Sequence, residues 1–190
     1  FNESGIYADP ALFEVFSFPI VSGDPTQPLT DIQSIALSEN LAKKLFEKED
    51  PIGKTLRLGE SSELMVTSVF ENIPQNSSLQ FDFVVPFEAF IKENPWTQNW
   101  RSGGSKTAVM LKSADSRDAA NRKLAGLIKS NCADCSTTPL LFPYLKSRLY
   151  SEFENGKNTG GRIQQVFLFG AVAILILVMA CINFMNLSTA

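Results

Sequence analysis

Histidine is missing from the sequence altogether, although the chain has 190 residues. Histidine is the commonest general base and a very common metal ligand in proteins. No Ser/His/Asp or Cys/His arrangement can therefore form within this chain, and no pair of carboxylates stands out as an acid and base pair. We predict no catalytic, cofactor-binding or metal site, and we predict that the chain is not itself an enzyme.

An excess of basic residues is also lacking. The chain has 17 Lys and Arg residues against 20 Asp and Glu residues, which gives a formal net charge of -3. Nucleic-acid-binding domains usually carry a basic patch or stripe, so we predict that nucleic acid is not a partner. The chain has enough apolar residues to form one folded domain rather than a disordered segment.

Cysteine is scarce, with three residues in the chain. Cys132 and Cys135 form a CxxC pair in the loop SNCADCST. A zinc site usually needs four ligands and no second pair exists, so metal binding is disfavoured. A thioredoxin-like motif opens a helix after a strand, whereas this pair follows a predicted helix. Two interpretations stay open: a small disulfide in an oxidising compartment, or two free thiols.

Charge is absent from the last 28 positions, which follow Arg162 in the stretch RIQQVFLFGAVAILILVMACINFMNLSTA. Strongly polar residues are also absent between Val166 and Ile182. A bilayer core of about 30 Å needs roughly 20 apolar residues in a helix. The alternative is a buried helix of a soluble protein, but such helices usually carry a polar stripe of period 3.6. We predict a transmembrane helix at 163–190, with the lipid bilayer as its partner.

Polar residues return near the end of this predicted helix. Asn183 and Asn186 could form hydrogen bonds to a neighbouring membrane helix or lie among the lipid headgroups. We treat both as candidate helix-packing residues.

Short strand patterns and helix patterns alternate irregularly in the charged part of the chain. The spacing over 54–70 is that of a hairpin, and a helix capped by Ser38 is predicted over 38–46. A second helix over 115–130 and strands near 34–37, 80–85 and 107–111 are also predicted. This order favours an α+β fold with a mixed or antiparallel sheet and packed helices, followed by one transmembrane helix. We divide the chain into a folded domain at 1–154, a polar hinge at 155–162 containing Gly160 and Gly161, and the helix at 163–190.

Two further patterns could be taken for binding sites. The stretch Asp50-Pro51-Ile52-Gly53-Lys54 is too short for a phosphate loop and precedes a predicted strand, so it indicates a structural turn.

Trp96 and Trp100 lie in a predicted loop. They could form a ligand platform, anchor the chain at a membrane interface, or pack beneath the loop.

Four stretches together resemble one family: DPALFEVFSFPIVSGD at 9–24, ALSENLAKKLFEKEDPIGKTL at 36–56, MVTSVFENIPQNSSLQFDFVVP at 65–86, and INFMNLSTA at 182–190. Their order and spacing are similar to those of the FtsX-like/MacB-like ABC transporter permeases, over the extracytoplasmic core domain and the membrane helix after it. The region 113–157 carries less of the resemblance, and the CxxC pair is not typical of the family.

The resemblance implies a location in the bacterial inner membrane, with residues 1–161 in the periplasm. It implies that a first membrane helix precedes Phe1 and that 163–190 is the second. The implied partners are an ABC ATPase, which binds the nucleotide, a second permease copy or half, and a periplasmic client or adaptor protein. The family's mechanism, described as mechanotransmission, would place a mechanical joint at 155–161.

Two other functions are weighed against the permease. The first is the ectodomain and membrane helix of a transmembrane signalling receptor, which predicts a coiled coil or kinase module after Ala190. The second is a membrane-anchored enzyme, which the absence of histidine disfavours. The permease predicts further hydrophobic spans after Ala190.

Overall fold

The computed structural model describes residues 3–59, 62–113 and 116–189, and at Thr189 the backbone alone. Contacts between Cα atoms divide the chain into two compact units, Phe1–Met110 and Leu111–Ala190. The predicted boundary of the folded domain at residue 154 differs from this division and stays a prediction.

The first unit is built on a six-stranded mixed sheet. The spatial order of the strands is β1-β6-β3-β5-β2, and β4 also pairs with β5. The β1/β6 and β3/β5 pairs are parallel and the other pairs are antiparallel. In chain order the elements are β1 (Gly5–Ala8), α1 (Leu12–Val15), β2 (Ile20–Gly23), β3 (Ser34–Ser38), α2 (Glu39–Phe46), β4 (Thr55–Leu58), β5 (Ser62–Phe70), β6 (Phe83–Pro86), α3 (Phe87–Glu93) and a 3-10 turn (Pro95–Gln98).

Strand β5 is the longest strand and the centre of this sheet. Its first half pairs with β4 and its second half with β2, while its other edge pairs with β3. The β3 register skips Thr67, because Ile35 pairs with Val66 and Ala36 pairs with Ser68. Thr67 is therefore the extra residue of a β-bulge, which re-aims the side chains after it. The Thr67 and Ser68 hydroxyls both donate hydrogen bonds to the Pro28 carbonyl, at 2.7 and 2.8 Å.

Apolar side chains cover both faces of the sheet. On one face, buried residues of β3, β5 and β6 pack against Leu41 and Ala42 of α2. On the other face, Phe70 packs against Phe13 and Phe81, with ring centroids 5.7 and 5.5 Å apart. Strand β3 is buried along its whole length because it contributes alternate residues to the two clusters. The sheet is therefore a central layer between two apolar layers.

The turn from β3 into α2 follows the local sequence. The Ser38 hydroxyl accepts a hydrogen bond from the Leu41 amide at 3.2 Å, which satisfies one of the unpaired N–H groups of the first turn. The predicted α+β class with a mixed sheet is confirmed, and α2 begins after Ser38 as predicted.

Some predicted elements are wrong in detail. The alternating residues 107–111 form no strand. The helix predicted for 115–130 is two helices, α4 (Arg117–Leu124) and α5 (Leu127–Asn131), which are separated at Ala125 and Gly126. Glycine costs about 1 kcal/mol relative to alanine inside a helix, and Gly126 lies at this break. Residue 115 lies outside the described residues.

The second unit continues with α6 (Tyr144–Ser147), a hairpin of β7 (Glu152–Glu154) and β8 (Lys157–Gly160), and α7 (Arg162–Thr189). Helix α7 is the candidate membrane span. None of the residues in its most hydrophobic part is buried. Its length of 28 residues corresponds to about 42 Å, so it is long enough to cross a bilayer.

Candidate functional site

The described residues contain no group of three or more His, Cys, Asp and Glu side chains that could hold a metal ion. A polar cleft of about 200 Å³ lies beside the start of α2. Its polar groups bond to one another: the Asn72 side chain accepts from the Asn40 amide at 2.9 Å, and Asp82 accepts from the Ser4 amide at 3.0 Å. Within the described ranges, every buried side-chain nitrogen and oxygen atom has a hydrogen-bond partner. These polar groups of the cleft are therefore held by hydrogen bonds within the fold.

The Asp50–Lys54 stretch connects α2 to β4. The Asp50 carboxylate accepts a hydrogen bond from the Ile52 amide at 3.0 Å. The Gly53 amide donates to the Val66 carbonyl, and the Val66 amide donates to the Lys54 carbonyl, both at 2.8 Å. Gly53 has a φ of 77°, a conformation in which glycine is favoured over other residues. The stretch is therefore a turn that is hydrogen-bonded to β5.

The Lys54 ammonium lies beside this turn. It pairs with the Glu49 carboxylate and stands 5.2 Å from the centre of the Phe46 ring. Its hydrogen bond and its positive charge hold the pKa of Glu49 below the usual value. The pair is exposed, and such pairs contribute little to stability.

The segment before α7, at 155–162, is where a polar hinge is predicted. Asn155 and Gly156 form the turn of the β7/β8 hairpin, with φ angles of 51° and 76°. Positive φ at both central residues is the signature of a type I′ turn, which Asn-Gly favours. The segment is therefore a β-hairpin rather than an extended linker.

Two glycines connect this hairpin to α7. Gly160 and Gly161 are buried, with φ angles of 136° and 134°. A Cβ atom on Gly161 would lie 2.8 Å from the Ser151 nitrogen and 2.9 Å from the Leu149 oxygen. A Cβ atom on Gly160 would lie 2.6 Å from the Gln164 amide nitrogen, the end of a flexible side chain. The backbone contact makes Gly161 the stricter of the two positions.

Hydrogen bonds tie the same region together. The Ile163 amide in the first turn of α7 donates to the Leu149 carbonyl at 3.1 Å. The Asn158 side chain donates to the carbonyls of Tyr150 and Glu152, at 3.1 and 3.0 Å. We call residues 149–164 the hairpin junction. It is a bonded connection between the hairpin and the membrane-length helix.

The β7/β8 hairpin was not predicted, although the sequence contains a signal for it. Asn155-Gly156 between two short polar strands is a strong hairpin signal. The contact of Gly161 with Ser151 could not be predicted, because it depends on the path of the folded chain.

The CxxC pair follows α5 in the second unit. Cys132 ends that helix, and its amide donates to the Ile128 carbonyl at 2.8 Å. The two sulfur atoms are bonded to each other in the structure. Cys181 lies on α7 and is exposed.

The tryptophans lie in and after the 3-10 turn. Trp96 is 51% exposed and Trp100 is 47% exposed. Trp96 meets the ring of Phe90 edge to face at 6.1 Å and donates to the Asn94 side chain at 3.2 Å. Trp96 therefore packs against Phe90 along one edge, and both tryptophan side chains are about half exposed.

Asn183 and Asn186 lie near the C-terminal end of α7, three residues apart. Residues with this spacing share one face of a helix. Both therefore remain candidates for contact with a neighbouring membrane helix.

The mixed sheet and its two apolar layers define an α+β domain, and a helix that is long and apolar enough to cross a membrane follows it in the chain. The family model for the MacB-like periplasmic core domain matches residues 2–127, which is more than half of the chain. The chain belongs to the MacB-like periplasmic core domain family. The predicted resemblance is confirmed.

One solved structure supports the fold. A domain attributed to a permease protein of Porphyromonas gingivalis is similar, with a TM-score of 0.52 and 20% identity, over 78% of this chain and 72% of that one. Two further similar structures have lower TM-scores. The periplasmic region of MacB from Actinobacillus actinomycetemcomitans has a TM-score of 0.46 and 19% identity, over 67% of this chain and 56% of that one. The extracellular domain of the noncanonic ABC-type transporter YknZ from Gram-positive bacteria has a TM-score of 0.48 and 18% identity, over 75% and 74%. No curated protein sequence matches the chain.

Proposed function

We propose that the chain is the extracytoplasmic domain and adjoining transmembrane helix of the membrane subunit of an FtsX/MacB-type ABC transporter. The family membership of residues 2–127 carries this proposal. The membrane-length α7 supports it, because a permease subunit needs a span directly connected to its extracytoplasmic domain. In the proposed arrangement residues 1–161 face the periplasm and α7 crosses the bacterial inner membrane.

The subunit performs no chemistry of its own in this proposal. ATP is bound and hydrolysed by a partner ATPase, and the resulting displacement reaches α7. The Ile163 to Leu149 hydrogen bond and the close contact at Gly161 then carry the displacement of α7 into the hairpin. A bonded connection transmits movement better than a free linker, because packed elements shift as units. We propose that the mechanical joint lies at Gly160 and Gly161 and acts as a bonded coupling.

The remaining partners follow from the exposed surfaces. A second permease copy or half would pack on α7, where Asn183 and Asn186 offer amide groups for hydrogen bonds between helices. A periplasmic client or adaptor would meet the first unit.

Co-purification tests the proposed partnership. The full-length subunit carries an affinity tag, is extracted from native membranes in mild detergent, and is assayed for ATP hydrolysis. The same protein without the tag is the control for carry-over. We expect vanadate-sensitive ATP hydrolysis in the tagged eluate alone. An eluate without ATP hydrolysis that phosphorylates itself would contradict the proposal and favour the signalling receptor.

A further inference from the structure

An apolar surface lies directly beside the start of α7. It is formed by residues 144–150, which comprise α6 and the turn after it, and we call it the juxtamembrane turn. Leu145 is 92% exposed, the highest value among the large apolar side chains that the structure describes. Leu149 is 37% exposed and Tyr144 is 47% exposed. Contiguous exposed apolar side chains can mark a surface that contacts a membrane or another protein.

The juxtamembrane turn has an apolar side and basic residues beside it. The Tyr150 amide donates to the Lys146 carbonyl at 2.9 Å, so the helical path continues past Ser147. Leu145 and Leu149 are four residues apart and share one side of this path. Lys146 and Arg148 are exposed beside them. A short apolar side flanked by basic residues is typical of segments that lie in a membrane interface.

The hairpin junction fixes the position of the turn relative to α7. The Leu149 carbonyl accepts from the amide of Ile163, the second residue of α7, at 3.1 Å. Ser151 lies against the backbone of Gly161. The turn is therefore held beside the first turn of the helix.

The length of α7 gives the depth of that point in a bilayer. The stretch from Val166 to Ile182, which has no strongly polar residue, has 17 residues and spans about 26 Å of helix, close to the hydrocarbon thickness of about 30 Å. Ile163 precedes Val166 by three residues, or about 4.5 Å along the axis. It therefore lies in the headgroup zone, and so does the carbonyl of Leu149.

We propose that the juxtamembrane turn is a lipid-binding element that lies in the headgroup zone of the leaflet where α7 begins. Leu145 and Leu149 enter the upper acyl region, and Lys146 and Arg148 contact the phosphates of anionic lipids. The proposal rests on α7 spanning the membrane, which belongs to the proposed function. It adds a second attachment between the second unit and the bilayer, beside the helix itself.

Depth-dependent fluorescence quenching tests this proposal. The two native tryptophans are first replaced, as Trp96→Phe and Trp100→Phe, so that they do not contribute to the emission. One new tryptophan is then introduced in each variant, as Leu145→Trp, Ser147→Trp or Leu175→Trp. Each variant is reconstituted in vesicles of phosphatidylethanolamine and phosphatidylglycerol, with or without lipids brominated near the top of the acyl chain. Ser147 is the matched control, because it lies two residues from Leu145 on the opposite side of the same turn. Leu175 lies in the middle of α7 and reports whether that helix is in the bilayer.

We expect the emission of Leu145→Trp to be blue-shifted and its quenching by brominated lipid to be at least about twofold stronger than that of Ser147→Trp, since interfacial segments bury their apolar side about 5–10 Å deep. Replacing phosphatidylglycerol with phosphatidylcholine should weaken the quenching of Leu145→Trp and leave that of Leu175→Trp unchanged. Lipid-independent quenching of Leu145→Trp would overturn the role of Lys146 and Arg148.

Three other outcomes would overturn the proposal. A quenched Leu175→Trp with an unquenched, red-shifted Leu145→Trp would place the turn in water. A blue-shifted but unquenched Leu145→Trp would show that protein, such as a second copy of the chain, covers the turn. Quenching of neither variant would contradict the transmembrane helix itself, and the proposed function with it.

Discussion

The two units of the chain satisfy their apolar side chains in different ways. The first unit buries 14 apolar residues between Phe13 and Val85, including Phe70 and Leu37 with no exposed area. In the described part of the second unit no apolar side chain is buried, and the large apolar residues of α7 from Val166 to Leu187 are 44–72% exposed. Water cannot cover a helix of this composition favourably, because burying apolar surface is the main driving force for folding. The first unit therefore has its own core, whereas the second depends on a bilayer or on other membrane helices.

The comparison predicts that removing one large core residue destabilises only the first unit. Phe70→Ala should lower the free energy of unfolding by about 3–5 kcal/mol, because it removes a fully buried ring and leaves a cavity. The fluorescence of Trp96 and Trp100 follows urea unfolding of the first unit in detergent micelles.

Phe169→Ala is the matched control on α7, where the ring is 70% exposed. It should leave the same urea transition unchanged. A loss below about 1 kcal/mol for Phe70→Ala would place it among average substitutions and contradict the two-layer core.

A second prediction concerns the hairpin junction in the second unit. Gly161→Ala should cost about 1–3 kcal/mol locally, because its positive φ disfavours a side chain and the new Cβ meets backbone atoms. The expected result is faster hydrogen exchange at Ile163 and across residues 149–160. The full-length subunit should still stimulate or support ATP hydrolysis by its partner, while the ATP-dependent change in exchange of the hairpin is lost.

Gly170→Ala is the control for this substitution. No atom lies within 4 Å of a Cβ at Gly170, apart from its own helical neighbours, so exchange at the junction should not change. Unchanged exchange in Gly161→Ala would show that the junction is a free linker.

A smaller effect is expected at the start of α2. Ser38→Ala should cost about 1 kcal/mol, since it removes the cap that accepts the Leu41 amide. Ser147→Ala in the second unit removes an exposed hydroxyl that donates to the Tyr144 carbonyl at 2.6 Å, and it should not shift the tryptophan-detected transition. Equal midpoints for wild type and Ser38→Ala would show that the cap contributes nothing.

The smallest effect concerns pH. Lys54 holds the pKa of Glu49 below its usual value in the folded chain. The pair therefore stabilises the fold above the unfolded pKa of Glu49, and the contribution is lost as pH falls through the lower folded pKa. An NMR titration of the Glu49 side-chain carboxyl should show this depression, and Lys54→Met should return the pKa towards the ordinary range. Equal values in both proteins would remove the ion pair from the account.

Local sequence patterns predicted the two helices α2 and α7, whose formation depends on residues within each helix. The Ser38 cap and the apolar face after it predicted α2, and the absence of charge after Arg162 predicted α7. Both signals act within one helix and need no partner. The sequence predicted a mixed or antiparallel sheet, but it did not predict the order of the strands.

Features that depend on distant partners were missed. The bulge at Thr67 brings Val66 and Val69, three residues apart, to the same face of the sheet, which a strict alternation of period two cannot predict. Residues 107–111 alternate like a strand but have no neighbouring strand to pair with. The junction at Gly161 depends on Leu149 and Ser151, and periodicity contains no information about that contact.

The most direct test of the central claim is the membrane topology of the chain. Alkaline phosphatase, which is active only in an oxidising compartment, is fused in the parent reading frame after residue 154 and, separately, after residue 190. We predict high activity for the fusion after residue 154 and low activity for the fusion after residue 190, at equal expression. Equal activity at the two positions would contradict a transmembrane α7 and an extracytoplasmic first unit.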